Sequence, residues 1–240
     1  LDVLQWFDSK FPLLRKNICG VENYTVLYKV CSRGFIDVLK WLHAKFHFTR
    51  QEMCRNSNHI FQTVCWNGQL HIAQWIHNEF ILTIDDMRLE KCMSFRMAAE
   101  SGIMALIKWL YDTFGLTVDD VNGALRHACK GGHLVVAQWL HITFGLTVDD
   151  ARAENNAALR YACTKGHLVV AQWLHTTYRL TVDDARADIN VMLCLVCYNG
   201  HLAVAQWLHS ARTRRWATMP VMGDRSVASS RAFAATSRAA

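Results

Sequence analysis

Apolar and polar positions follow one template that recurs along most of the chain. In its clearest copy, Leu159, Ala162 and Cys163 stand at i, i+3 and i+4, the stripe by which a helix buries one face. Arg160, Tyr161, Thr164 and Lys165 fall on the other side. Gly166 follows, where a left-handed residue would end that helix and turn the chain. Leu168, Val170, Ala171, Trp173 and Leu174 then form a second apolar pattern, wide enough to be covered on two sides, with only Val169 and Gln172 free. The pattern predicts a helix over 156–165, opened by an Asn156 cap, and a second from 168 to about 176.

The ten residues 132–141, GHLVVAQWLH, recur unchanged at 166–175 and with one substitution at 200–209. Tryptophan marks the period at Trp41, Trp75, Trp109, Trp139, Trp173 and Trp207, in steps of 34, 34, 30, 34 and 34. Glycine precedes each by seven residues, from Gly34 to Gly200. A threonine follows the first five by eight, as in Thr147-Val-Asp-Asp150, where an N-cap with an acid three residues on opens a short helical turn. The step of 30 comes from four residues missing between Asp120 and Ala124, so one connector is shortened and its flanking helices keep register. Self-similarity at this period predicts an all-α solenoid of helix-turn-helix units, about six and a half over residues 1–210. Its spine would be a dry line of stacked indoles.

Leu1–Trp6 align with Ile36–Trp41, so the chain is expected to be a piece that starts inside a unit. Residues 7–26 fit the template poorly. Past Ser210 the pattern stops, and an unstructured Ala/Ser/Arg-rich tail is expected over 211–240, beside an exposed apolar end face.

A helix ending Ala162-Cys163-x-x-Gly166-His167-Leu168 and leading into Val170-Ala171-x-Trp173-Leu174 resembles the ankyrin repeat. The likeness is best over 125–209 and extends, in divergent form, over 1–210. The ankyrin T-P-L-H opening is absent, with Ala157-Ala158-Leu159-Arg160 in its place, and a capped turn stands where ankyrin units carry a β-hairpin. The resemblance implies a non-catalytic protein-interaction scaffold. Tetratricopeptide repeats share the period, but they need a first-helix Trp and a recurring proline, which this chain lacks.

Charge and chemistry change this picture little. The net charge of +6 is concentrated in 211–240, where six arginines and Asp224 leave +5. That tail supplies the alternative function, contact with nucleic acid or an anionic surface. No apolar run approaches a membrane span. Five of nine cysteines, Cys31, Cys65, Cys129, Cys163 and Cys197, share one repeat position with Ala99, which predicts a small buried slot, reduced thiols and a cytoplasmic protein. Histidines spaced 34 residues apart cannot converge on one metal, and the lone Cys194/Cys197 pair lacks a second one, so no cofactor, metal or enzyme activity is expected. A fixed frame with varied outward first-helix positions predicts a partner-binding strip. It comprises Gln62, Trp66, Arg96, Glu100, Arg126, His127, Lys130, Arg160, Tyr161 and Lys165.

Overall fold

The computed structural model describes residues 1–10, 25–121, 123–180 and 189–218, and among them every regular element is a helix. After α1 (Asp2–Lys10) the helices come in pairs: α2 (Thr25–Arg33) with α3 (Ile36–Phe46), and α5 (Arg55–Trp66) with α6 (Leu70–Phe80). Next come α8 (Met93–Ser101) with α9 (Met104–Phe114), and α10 (Ala124–Gly131) with α11 (Leu134–Phe144). The last pairs are α12 (Val148–Thr164) with α13 (Leu168–Tyr178), and α14 (Ile189–Tyr198) with α15 (Leu202–Thr218). Short turns α4 (Arg50–Met53) and α7 (Ile84–Arg88) occupy two connectors.

Each first helix packs on the first helix of the next pair, from α2 through α5, α8, α10 and α12 to α14. Small side chains allow the close approach: Ala98 and Ala99, Ala128 and Cys129, Ala162 and Cys163 are fully enclosed. Second helices contribute Leu39 and Leu42, Ile72 and Ile76, Leu106 and Leu110, Val136 and Leu140, and Val170 and Leu174 to the same continuous core. Burial drives both layers, because each helix has one apolar face and its cover comes from the neighbouring pair.

The indoles do not form the interior. Trp41, Trp75, Trp109, Trp139, Trp173 and Trp207 are all half-buried, and Trp6 is exposed. They lie at the edge of the core, where the five from Trp75 to Trp207 each meet the ring two residues after the preceding pair's tryptophan. His43 contacts Trp75 at 5.5 Å, His77 contacts Trp109 at 5.8 Å, and Tyr111 contacts Trp139 at 5.6 Å. His141 and Trp173 follow at 6.1 Å, then His175 and Trp207 at 5.7 Å, all near-perpendicular. An aromatic from the same unit as the tryptophan closes four of these contacts into triads: Phe80, Phe114, Phe144 and Tyr178. Edge-to-face pairs of this kind add about 0.5–1.5 kcal/mol each beyond area burial. The WLH histidine is thus a ring partner across the junction, and His141 and His175 also donate from Nδ1 to the Leu146 and Leu180 carbonyls just past their own helix ends, at 3.1 and 2.5 Å.

A second contact locks each junction. The residue after the marker glycine sits on the previous unit's glycine: Gln69 over Gly34, Ile103 over Gly68, His133 over Gly102, His167 over Gly132 and His201 over Gly166. Gln69, His133 and His167 also donate to first-helix carbonyls of the previous unit: Ser32 (3.3 Å), Glu100 (3.0 Å) and Lys130 (3.1 Å). A methyl group on Gly132 would collide with His167 Nδ1, and its φ of 80° already disfavours any other residue. Glycine is required there twice, by backbone and by neighbour.

The connectors depart from the expected Asn-capped helix. The span of α12 contains a break: Ala153 is extended, and Glu154, Asn155 and Asn156 are left-handed at φ 53°, 57° and 56° before the chain turns right-handed again at Ala157. Glu90, Lys91 and Cys92 repeat this in an earlier unit at φ 49°, 57° and 56°. Each such residue costs about 1–2 kcal/mol. The buried ends, Cys92 and Asn156, are what the turn places in the interior. The shortened connector replaces the turn with Gly123, φ 84°.

At the carboxyl end α15 runs on to Thr218, eight residues into the stretch expected to be unstructured. Residues 219–240 lie outside the described residues, as do 11–24 of the poorly fitting segment.

Gly115, also left-handed at φ 60°, has open space where a side chain would go, so it isolates the backbone term. Gly115→Ala is expected to lower unfolding stability by about 1–2 kcal/mol. Gly132→Ala should cost about 2–4 kcal/mol, because His167 and its hydrogen bond are displaced as well. Equal losses in urea unfolding would remove the neighbour from the account.

Candidate interaction surface

The connectors are built from one device. Thr49, Thr83, Thr117 and Thr147 each hold the acid three residues on: Glu52, Asp86, Asp120 and Asp150 accept from both the threonine N–H and its hydroxyl. The expected capping is present, with the hydroxyl donating to the carboxylate. At Thr49 the hydroxyl also accepts from the Glu52 N–H at 3.3 Å.

At two junctions the unit before adds a guanidinium. Arg50 donates to Asp86 at 2.5 Å and to the Phe80 carbonyl at 3.1 Å. Arg88 grips Asp120 with two bonds of 2.8 and 3.3 Å. The Arg88 hydrogen bond holds the Asp120 carboxyl down at about 2, against burial, with Thr117 helping. Asn58 bonds the Asp86 carbonyl at 2.9 Å, so connectors are tied in series. Sequence reasoning missed this ladder, although an arginine 32 or 36 residues before a capping acid is its visible trace.

The ten candidate strip residues divide into two groups. Trp66 is 53% exposed and Lys165 is exposed. Lys130, Tyr161 and Arg160 are half-buried. Gln62 and Arg96 are buried, at 9% and 7% exposure, with Gln62 reaching Glu90 at 3.4 Å. Burial lowers the affinity of the Arg96 guanidinium for its proton, and nearby Arg126 adds to the effect. Arg126 pairs with Glu154. Glu100 binds His127 and Lys130, both at 2.8 Å. Burial raises the Glu100 carboxyl, but those two partners leave it below its ordinary value. Desolvation lowers the affinity of His127 for a proton, and the Glu100 carboxylate that accepts from its Nδ1–H opposes that shift. Positions that face away from their own helix's stripe are thus partly spent on the next helix. At the repeat position of Glu100 and Lys130, only Trp66 and Tyr198 stand open among the described residues, the latter 88% exposed.

The thiols fill the predicted slot where a neighbour exists. Cys31, Cys65, Cys129 and Cys163 are buried and unpaired, and burial pushes Cys31 and Cys163 up to about 12. Cys197, at the same repeat position, is exposed because no described helix covers α14 from beyond. Among the described residues, no three His, Cys, Asp or Glu side chains are placed to hold a metal ion. No described helix is long and apolar enough to cross a membrane. Most of the basic stretch 211–240 lies outside the described residues.

No protein-family model matches the chain, and no curated protein matches it either.

Asp120 carries the pH prediction. Its folded-state affinity for a proton is depressed from 3.8 to about 2, so its ion pair stabilises above pH ~4 and is lost as pH falls toward 2. The stability gap between the parent chain and Asp120→Asn should be full at pH 6 and close between pH ~4 and ~2. A gap that is constant across a urea series at those pH values would contradict the pairing.

Proposed function

We propose that these helix pairs are ankyrin-like units of a solenoid, and that the chain is a non-catalytic protein-interaction scaffold. The observation that supports this reading is the separation of two kinds of position. The junction glycine recurs in every unit, the side chain above it is Gln69, Ile103 or a histidine, and the ring after the tryptophan is histidine or Tyr111; all are consumed internally. At one first-helix end the residue differs in every unit, as Trp66, Glu100, Lys130, Thr164 and Tyr198, and its two large aromatics stand in solvent. Exposed Trp and Tyr are among the residue types that dominate binding energy at protein interfaces. A partner lying along several units would touch one such position per unit.

The chemistry of the described side chains supports a passive role. Burial raises the thiols of Cys31, Cys65, Cys129 and Cys163 and encloses them, which argues against their acting as nucleophiles. The eight described cysteines are unpaired, which suits a reducing, intracellular compartment.

Site-specific photo-crosslinking tests the surface. A crosslinker at Trp66, Lys130 or Lys165 should capture the same protein partner, and one at Val169, exposed on the outer side of α13, should not. The double substitution Trp66→Ala with Lys165→Ala should weaken that partner by at least tenfold. Capture from Val169 alone, or unchanged affinity in the double variant, would sink the proposal.

A further inference from the structure

The cation that covers each capping aspartate is missing at one junction. Arg50 covers Asp86, leaving its side chain 12% exposed, and Arg88 covers Asp120, leaving it 8% exposed. Asp150 makes the same two bonds to Thr147, yet it is exposed and has no cation within ion-pair distance among the described residues. The sequence explains this. Arg50 and Arg88 stand one and five residues after their marker threonines; in the unit before Asp150 those places hold Val118 and Asn122, the second in the shortened connector and outside the described residues.

The missing side chain leaves a space. A cavity of about 80 Å³ lies between the shortened connector and the next, lined by Val118, Asp119, Val121, Gly123, Leu146 and Asp150. It is larger than a single water needs. Arg126 also borders it, but its charge is taken by Glu154. Two carboxylates remain, Asp119 and Asp150, beside apolar walls that would hold the methylene stem of a long cationic side chain.

We propose that this cavity receives an arginine side chain from a basic peptide segment of a protein partner. The ligand class follows from the molecule's own chemistry, since the two equivalent acids are each satisfied by a guanidinium. At the first junction that guanidinium bridges a carboxylate and a backbone carbonyl at once, a use of several fixed donors that a lysine ammonium cannot copy. The inference gives the scaffold a chemical class of partner and rests on that reading.

The probe is the acetylated, amidated tripeptide Ala-Arg-Ala, titrated into the full chain and followed by NMR at Gly123, Leu125 and Leu146. Saturable shifts are expected, with at least tenfold weaker binding for the citrulline analogue and weaker binding for the lysine one. Asp119→Asn, which leaves every cap intact, should weaken the arginine peptide several-fold. Val118→Arg should supply the absent guanidinium internally and abolish binding in a chain at least as stable as the parent. Equal binding of arginine and citrulline peptides, or arginine binding undiminished in Val118→Arg, overturns the inference. If the peptide fails while crosslinks at Trp66 and Lys165 persist, the cavity is excluded and the scaffold reading stands.

Discussion

A side chain resting on the preceding unit's glycine is the contact on which the rest depends. Gln69, His133 and His167 each fill the space a Cβ would need and donate to a carbonyl of that unit's first helix. The contact fixes how far one helix pair stands from the next. That spacing lets Ala98, Ala128 and Ala162 close the first-helix layer without voids, and brings His77 within ring contact of Trp109. Where the described series ends, all parts of the device open together: no described side chain stands above Gly200, Cys197 is exposed, and Tyr198 stands in solvent.

The connectors carry a second, looser series. Thr-x-x-Asp caps hold each turn, and an arginine from the unit before crosses to the acid at two junctions. Left-handed runs at Glu90–Cys92 and Glu154–Asn156 place one buried residue each and cost backbone energy that the packed helices offset. The connectors change in length, whereas the junctions change only in side chain. A loss of four residues removes a turn and a cation yet leaves Leu125 and Leu159 in matching buried positions.

Much of this was legible in the sequence, because a helix's own apolar stripe and its caps are local. Leu159, Ala162 and Cys163 are the buried stripe, Gly166 is left-handed, and the marker threonines cap with their acids. Period 34 gave the pairs and their order. Two expectations failed for one reason: sequence periodicity shows which way a residue faces on its own helix and not what the neighbour brings there. The tryptophans read as interior because they are large and recurrent, but the Leu, Ile and Val positions beside them take the core and leave the indoles at its edge. Gln62 and Arg96 read as outward, yet they are covered by the following connector and helix. The run at Glu90, Lys91 and Cys92 carries no residue type that announces it, whereas Asn155 and Asn156 are of the type that tolerates the left-handed region, Asn156 reading from the sequence as a helix cap instead.

The central claim is that each helix pair is held by its immediate neighbours, through ring and glycine contacts at the junction. A double-mutant cycle between His77 and Trp109, whose rings lie 5.8 Å apart, measures it most directly. The account predicts a coupling of about 0.5–1.5 kcal/mol for that pair, and a value within about 0.5 kcal/mol of zero for His77 with Trp139, one unit further on. A negligible coupling between His77 and Trp109, or an equal one to Trp139, would contradict it.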